Sequence, residues 1–229
     1  MSIGFRVLPL DNRPSQMLID RFLDVPTPYI SDNMNRLYGL ASGLVPYHQK
    51  GQLLGPAITV KTRAGDNLMV HKAIDLAQPG DVVVVDAGGD LSQAIVGEIM
   101  LRLAERKGLH GFVVDGAIRD SEAFRAGDFP VYARAVTHRG PFKDGPGEVN
   151  VPISVGGMVV HPGDIMVGDA DGVIAVPVSL AEELATKVQE QRDREIAILD
   201  SIANGEVDRR WVDQTLVDRG CELIEGVSH

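Results

Sequence analysis

Two segments near the start of the chain carry apolar residues at the spacing of an amphipathic helix. They are residues 15–24 and 27–39, with Ser15 and Thr27 as candidate N-caps. Residues 40–56 are rich in glycine, proline and polar side chains, which indicates a loop. The sequence therefore predicts two helices within residues 15–39, followed by a long connection.

Between residues 57 and 126, strand-like runs alternate with helix-like segments. The β-branched run 57–62 predicts a strand, and the continuous apolar runs 81–86 and 112–115 are typical of strands buried on both faces. Helical spacing predicts helices over residues 67–77, 92–107 and 119–126. This β-α alternation favours a layer of parallel strands with helices packed on it.

From residue 130 onwards, short strands separated by turns replace this alternation. Strands are predicted over residues 131–134, 151–155, 158–160, 164–167 and 173–176. The phrase Pro-Gly-Asp occurs at residues 79–81 and 162–164, each time just before a strand. Because Pro-Gly presets a tight turn, we interpret both as turns that lead into strands and not as a repeat architecture.

The end of the chain is helical in composition. Ser179 and Glu182 predict a capping box at the start of a helix that ends near Gly205. A second short helix is predicted over residues 208–218, so the C-terminal helical extension covers residues 179–218. No proline- or serine-rich linker divides the 229 residues, and we therefore expect a single domain.

Composition and charge limit the classes of partner. The single cysteine, Cys221, excludes an intrachain disulfide framework and a zinc site built from several thiolates, which fits a cytoplasmic protein. No apolar run approaches the roughly 20 residues of a membrane span, and no signal-peptide pattern opens the sequence. A formal net charge of −10 disfavours non-specific electrostatic binding to nucleic acid or to an anionic membrane. A small anionic ligand would need a local cation.

A carboxylate and a guanidinium follow the predicted strand 112–115. In the run DGAIRD at residues 115–120, Arg119 and Asp120 come just beyond the C-terminal end of the strand, where ligands collect in open α/β sheets. Aspartate is a hard oxygen ligand for Mg²⁺ or Mn²⁺, and the planar fork of arginine matches a carboxylate. The pattern indicates a site for a metal and an anion, with a surface arginine and a helix-capping aspartate as the alternative.

Two glycine-containing segments and one lysine are further candidates for anion binding. Glycines in the turn at residues 87–90 and at Gly97 let backbone amides approach an anion, although the sequence has no dinucleotide or Walker motif. Lys143 lies in a glycine-rich loop, which suits anion binding better than a Schiff base; a solvated loop lysine is the alternative. On local pattern alone, Glu98 and Glu195 are solvated helix residues.

Several short motifs, taken together, resemble the RraA-like family over about residues 25–205. They are Gly97-Glu98, Asp115-Gly116-x-x-Arg119-Asp120, Pro162-Gly163-Asp164, Gly168-Asp169-x-Asp171-Gly172-Val173 and Val176-Pro177. That family includes 4-hydroxy-4-methyl-2-oxoglutarate and 4-carboxy-4-hydroxy-2-oxoadipate aldolases, which also decarboxylate oxaloacetate, and a regulator of RNase E. The resemblance implies an α/β protein with a β/β/α three-layer fold of the swivelling type. It also implies homotrimers or homohexamers with sites between chains.

The resemblance further implies an aldolase that uses a divalent metal, Mg²⁺ or Mn²⁺, in place of a Schiff base. Asp120 would bind the metal directly, and Glu98 would hold it through water. Glu195 of a neighbouring subunit would do the same. Catalysis would thus depend on Arg119, Asp120 and Glu98.

The implied substrate is a small anionic 2-oxo acid. Backbone amides around Gly97, Ile99 and Met100 would receive its pyruvyl carboxylate, Arg119 would bind near the hydroxyl-bearing carbon, and Lys143 would help with a distal carboxylate. The implied reaction cleaves a 4-hydroxy-2-oxo diacid to pyruvate and a second 2-oxo acid. The alternative is a non-catalytic, protein-binding regulator of an endoribonuclease. A third reading, quinone methylation, has no cofactor signature in the sequence.

Overall fold

The computed structural model describes residues 2–222 of the chain. Its α-helices are α1 Gln16–Asp20, α2 Thr27–Asn33, α3 Leu68–Leu76, α4 Glu98–Lys107, α5 Ser121–Arg125, α6 Val178–Ala203 and α7 Arg210–Asp218. Its strands are β1 Phe5–Val7, β2 Val45–Pro46, β3 Leu53–Thr62, β4 Val82–Asp86, β5 Ala94–Val96, β6 Gly111–Ile118, β7 Val131–Val136, β8 Gly147–Val149, β9 Ile153–Val155, β10 Met158–Val160, β11 Ile165–Asp169 and β12 Gly172–Val176. The chain divides into two compact units, of which the first ends at Val188 and the second begins at Gln189.

The centre of the first unit is a layer of parallel strands in the order β3-β4-β6-β7. Alternate residues of β4 point to opposite faces: Val83 and Val85 pack in one cluster with side chains of α3 and α4, and Val82 and Val84 in another with Val151 and its neighbours around β9. Both faces are therefore buried, which explains the unbroken apolar run. The predicted parallel layer and β/β/α arrangement are confirmed.

A third hydrophobic cluster lies on the antiparallel arm of the sheet. Strand β11 pairs with both β12 and β3 in antiparallel register. Apolar side chains of α1, α2 and the first part of α6 pack on this arm, where they bury Phe22, Ile30 and Leu184. The helices at the start of the chain thus contribute to the core of the first unit.

The two predicted N-terminal helices exist but are shorter than predicted. Helix α1 has five residues and α2 has seven. Ser15 caps α1 as predicted, since its Oγ accepts a hydrogen bond from the backbone N–H of Leu18 at 3.3 Å. The prediction that Thr27 caps α2 is wrong: Pro26 occupies the N-cap position. Thr27 instead donates from its N–H and its Oγ to the carboxylate of Asp169, each at 2.7 Å.

The helix predicted over residues 92–107 is wrong in its first part. Residues Ala94–Val96 form β5, which pairs in parallel with β6, and α4 begins only at Glu98. The three apolar residues of β5 are all buried, so sheet pairing outweighs the helical spacing there. Pattern analysis also missed β1, β2 and β8, each of two or three residues.

Both Pro-Gly-Asp phrases form tight turns, as predicted. Gly80 and Gly163 adopt φ values of +92° and +88°, which favour glycine. In each turn the aspartate accepts a hydrogen bond from the backbone N–H three residues earlier, at 2.7 Å for Asp81 and 2.8 Å for Asp164. Arg13 adds an ion pair to the fully buried Asp81.

Within residues 2–222, none of the helices combines the length and the apolar character that crossing a membrane requires.

Candidate active site

A cavity of about 50 Å³ lies where β5 meets α4 and where β6 ends. Its lining residues are Asn67, His71, Ile95, Val96, Gly97, Ile99, Met100, Arg119, Pro141 and Lys143. All of the sequence-predicted substrate-binding positions are in this set. A larger cleft of about 440 Å³ lies elsewhere, around His48 and Asp169, and contains none of them. We therefore take the smaller cavity as the candidate site.

The turn after β6 places Arg119 at the cavity and Asp120 next to Arg119. The backbone N–H of Arg119 donates to the carbonyl of Val96 at 3.0 Å, which extends the pairing of β6 with β5. Asp120 follows in the left-handed conformation, with φ +56° and ψ +41°, and begins α5. Aspartate tolerates this conformation better than most residues. Arg119 Nε lies 3.6 Å from Asp120 Oδ2, so the two charges are adjacent.

The start of α4 is joined to this turn by one hydrogen bond. The backbone N–H of Glu98 donates to Oδ2 of Asp120 at 3.0 Å. A carboxylate is favourable there because the helix N-terminus carries unpaired N–H groups and a partial positive charge. Within residues 2–222, no donor is hydrogen-bonded to Asp120 Oδ1, and the side chain is 44% exposed. One carboxylate oxygen is thus available to a ligand.

Gly97 allows this close approach. A Cβ atom at residue 97 would lie 2.6 Å from Asp120 Oδ2 and 3.0 Å from both Cγ and Nε of Arg119. The φ of Gly97 is −149°, an extended value that any residue adopts. The need for glycine is therefore steric, and it comes from the two charged side chains.

The first turn of α4 also leaves a donor for an anion. The N–H of Met100 already bonds to the carbonyl of Gly97 at 3.1 Å. In the part of the chain that the structure describes, no acceptor is bonded to the N–H of Ile99. Among the amides singled out by sequence, those of Gly97 and Ile99 have no acceptor within residues 2–222, whereas that of Met100 is hydrogen-bonded within the helix.

A buried carboxylate that sequence reasoning missed holds the wall of the cavity that the start of α3 and the loop of Lys143 form. Asp66 is fully buried, and its Oδ2 accepts the backbone N–H groups of Asp144 at 2.8 Å and Gly145 at 2.9 Å. Its Oδ1 accepts the N–H of Leu68 at 2.9 Å, at the start of α3. Asp66 therefore ties the loop that carries Lys143 to the beginning of α3. Its place just before a predicted helix is the sequence signal that could have identified it.

His71 lines the cavity and was also missed by sequence reasoning. Burial lowers the pKa of His71, and the positive charge of Lys143 lowers it further, while Asp75 acts in the opposite direction. The imidazole is therefore held towards its neutral form beside two cationic side chains, Arg119 and Lys143.

Two other features singled out by sequence serve the fold. Asp115 pairs with Arg134 and accepts the N–H of Gly156 at 2.7 Å, so it fixes the turn between β9 and β10. In the turn at residues 87–90, the N–H of Gly88 donates to Asp86 and that of Gly89 to the carbonyl of Asp115, both at 3.0 Å. The expectation that an anion binds these amides is wrong, because they already have acceptors.

The donor set fits a hydrated divalent cation better than an ion enclosed by protein ligands. No group of three or more His, Cys, Asp or Glu within residues 2–222 is arranged to hold a metal. Asp120 has a half-exposed side chain with no donor on Oδ1 within residues 2–222, and Glu98, whose side chain is 49% exposed, pairs with Arg102 at 3.0 Å. Mg²⁺ typically keeps several waters and binds through one or two carboxylates plus substrate oxygens. Asp120 matches the requirement for one such carboxylate, whereas the carboxylate of Glu98 is paired with Arg102.

Glu195 lies on α6 in the second compact unit. Its Oε1 accepts a hydrogen bond from Gln191 Nε2 at 2.9 Å, one turn earlier on the same helix. Its assignment to the site of a neighbouring subunit stays a prediction.

Comparison with known proteins finds relatives that are named either as aldolases or as RraA proteins. A family model described as RraA-like, Aldolase/RraA, matches residues 27–175. A Halalkalibacterium halodurans protein, provisionally named 4-hydroxy-4-methyl-2-oxoglutarate aldolase, is 45% identical over 188 residues, or 80% of this chain and 90% of that protein. A Thermus thermophilus protein named 4-hydroxy-4-methyl-2-oxoglutarate aldolase is 41% identical over 112 residues, or 49% of this chain and 68% of that protein. The structure of Streptomyces coelicolor RraAS2, described as an unusual member of the RNase ES inhibitor RraA family, superposes with a TM-score of 0.72. It is 29% identical and covers 80% of this chain and 96% of that one.

Replacing Gly97 should disturb the charged pair without unfolding the protein. In Gly97→Ala the new methyl group displaces Asp120 and Arg119, because the side chains can move while the backbone conformation is ordinary. Loss of the Asp120 hydrogen bond should raise the amide hydrogen exchange rate of Glu98 roughly tenfold, as expected for a bond worth about 1.5 kcal/mol. Gly39→Ala is the control, since a Cβ there meets nothing within 4 Å. Unchanged Glu98 exchange in Gly97→Ala would contradict this account.

Removing the charge of Lys143 should raise the pKa of His71. Lys143→Gln deletes a positive charge that opposes protonation of the imidazole, so its titration should shift to higher pH while burial still holds it below the ordinary value. The shift can be followed by NMR of the His71 ring. Lys72→Gln is the control, because Lys72 is exposed and is not among the groups that perturb His71. Equal titration curves in wild type and Lys143→Gln would show that the two side chains do not interact.

Proposed function

Because the chain belongs to the RraA-like family, we propose that it is a carbon–carbon lyase, a metal-dependent aldolase. The substrate is 4-hydroxy-4-methyl-2-oxoglutarate or a related 4-hydroxy-2-oxo diacid, which is cleaved to pyruvate and a second 2-oxo acid. Oxaloacetate decarboxylation is its second activity. The observation that carries the proposal is the shared cavity of Arg119, Lys143 and the free N–H of Ile99, with Asp120 beside it.

The cavity concentrates positive charge on a protein with a formal net charge of −10. A dianionic substrate needs donors at both ends. The N–H of Ile99 at the start of α4 receives the carboxylate of the pyruvyl half, and Lys143 receives the distal carboxylate. Arg119 binds between them, near the hydroxyl-bearing carbon, where its planar fork orients the oxygens.

Asp120 would hold a divalent cation, Mg²⁺ or Mn²⁺, directly, and Glu98 and a neighbouring subunit's Glu195 would hold it through water. When bound, the cation supplies Lewis-acid stabilisation of negative charge on the pyruvyl half. Aldol cleavage and oxaloacetate decarboxylation both leave an electron pair on the carbon that becomes the methyl group of pyruvate. One set of residues therefore serves both reactions, and no lysine imine is needed.

Because this proposal takes Glu195 from a neighbouring subunit, the protein is proposed to be a homotrimer or homohexamer in the cytoplasm, with each site completed by the neighbouring chain. Its partner is the small-molecule substrate, with no nucleic acid or membrane involved. The second candidate function is that of a protein-binding regulator of an endoribonuclease, which is favoured by the likeness to Streptomyces coelicolor RraAS2. A regulator that works by surface contact has no need of Arg119 at a cavity with Asp120 beside it, so we favour the enzyme.

Pyruvate release should depend on a divalent metal. With lactate dehydrogenase as the coupling enzyme, the purified protein should release pyruvate from 4-hydroxy-4-methyl-2-oxoglutarate and from oxaloacetate in the presence of Mg²⁺. EDTA should abolish both activities, and added Mg²⁺ should restore them, because the carboxylate ligands alone cannot stabilise the developing charge. No release from either substrate with Mg²⁺ would contradict the aldolase and favour the regulator.

Arg119→Lys should lose most of the turnover. An ammonium group cannot reproduce the two parallel hydrogen bonds of a guanidinium, so we expect kcat to fall by roughly 10²-fold. Arg106→Lys, an exposed position on α4 outside the cavity, is the matched control and should keep wild-type turnover. Near-normal turnover in Arg119→Lys would remove Arg119 from the proposed mechanism.

A further inference from the structure

A buried oxygen atom at the cavity has no hydrogen-bond partner. Asn67 lines the cavity and is 3% exposed. Its Nδ2 donates to the carbonyl of Ile95 at 2.9 Å and approaches Met100 Sδ at 3.4 Å. Among the described residues, no donor reaches its Oδ1. Leaving a buried acceptor unpaired destabilises a fold, so this oxygen requires an explanation.

Helix capping does not supply that explanation. Asn67 occupies the N-cap position of α3, where asparagine commonly accepts a hydrogen bond from the first turn, but its side chain makes no such bond. The N–H of Leu68 goes instead to Asp66 Oδ1 at 2.9 Å. The fold therefore uses the NH₂ group of Asn67 and leaves the oxygen unused.

The rest of the cavity offers donors. Arg119 and Lys143 are cationic, the N–H of Ile99 is free, and His71 has a ring N–H in either neutral tautomer. Asn67 contributes the only side-chain oxygen among the ten lining residues. These donors suit carboxylate and keto oxygens, whereas Asn67 Oδ1 suits a group that donates.

The proposed substrate has one such group. At neutral pH its carboxylates and keto oxygen only accept hydrogen bonds, and its C4 hydroxyl is the sole donor. Oxaloacetate in its keto form has none. Placing a carboxylate or keto oxygen against Asn67 Oδ1 would set two acceptors against each other and leave the buried oxygen unpaired.

We propose that Asn67 Oδ1 accepts the hydrogen bond of the C4 hydroxyl and thereby makes Asn67 a specificity-determining residue that favours hydroxyl-bearing diacids over oxaloacetate. This inference rests on the proposed function. The amide is too weak a base to remove the hydroxyl proton, so Asn67 binds and orients the hydroxyl only.

Asn67→Ala should change the two activities unequally. We expect kcat/KM for 4-hydroxy-4-methyl-2-oxoglutarate to fall roughly tenfold or more, as for the loss of one buried hydrogen bond to substrate. Oxaloacetate decarboxylation should change by less than about threefold. Equal losses on both substrates would assign Asn67 a structural role and overturn the inference. Wild-type values of both activities in Asn67→Ala would overturn the inference as well.

Asn150→Gly is the matched control. Asn150 is also buried, donates from Nδ2 to a backbone carbonyl, that of Leu8 at 3.0 Å, and has a partnerless Oδ1. It lies outside the site cavity. Glycine suits its φ of +58°. The ratio of the two activities should stay at the wild-type value in this variant.

A measurement on the wild-type enzyme keeps the inference open to refutation if Asn67→Ala does not fold. 4-Methyl-2-oxoglutarate lacks only the hydroxyl group. As a competitor of oxaloacetate decarboxylation, it should bind roughly tenfold more weakly than the hydroxyl-bearing diacid. Equal inhibition constants would contradict the proposed role of Asn67 and leave the proposed function unaffected. Wild-type enzyme that releases no pyruvate from either substrate would contradict the proposed function itself, and this inference with it.

Discussion

The hydrogen bond from the Glu98 amide to Asp120 is the contact on which the geometry of the site depends. It requires a carboxylate at the start of a helix and a residue 97 without a side chain, and Arg119 lies next to that carboxylate. The helix N-terminus stabilises the carboxylate, and the carboxylate in turn orients the arginine. Two segments that follow different strands, β5 and β6, are thereby held at one cavity.

Asp66 performs a comparable role on the other wall. Its carboxylate is fully buried, and three backbone N–H groups surround it. Hydrogen bonding on this scale makes a buried charge tolerable, and Arg63 contributes a further ion pair at 3.2 Å. The start of α3, with Asn67 and His71, is consequently fixed against the loop that carries Lys143. In both walls a carboxylate binds backbone amides, so side-chain placement follows from main-chain geometry.

The sequence predicted the layer and the elements that lead to the site, because the runs at residues 81–86 and 112–115 are too apolar to be anything but doubly buried. The prediction was wrong at β5, because its three residues also fit a helical pattern and only their pairing with β6 makes them a strand. Arg119 and Asp120 were found because they adjoin a strand. Asp66 was not, since its partners at residues 144 and 145 are distant in sequence and glycine-rich loops carry no periodicity. The local sequence shows only that Asp66 precedes a helix, and not which distant backbone groups its carboxylate binds.

The sign of the charge at the cavity is opposite to that of the whole chain, which matters for how a diacid reaches it. At physiological ionic strength the Debye length is about 8 Å, so Arg119 and Lys143 attract an anion only when it is already close. At longer range the field of a chain with a net charge of −10 repels it. Electrostatic attraction therefore does not assist the diffusional encounter of the diacid with the protein. Added salt should slightly raise the association rate, whereas it lowers the association rate of electrostatically steered enzymes.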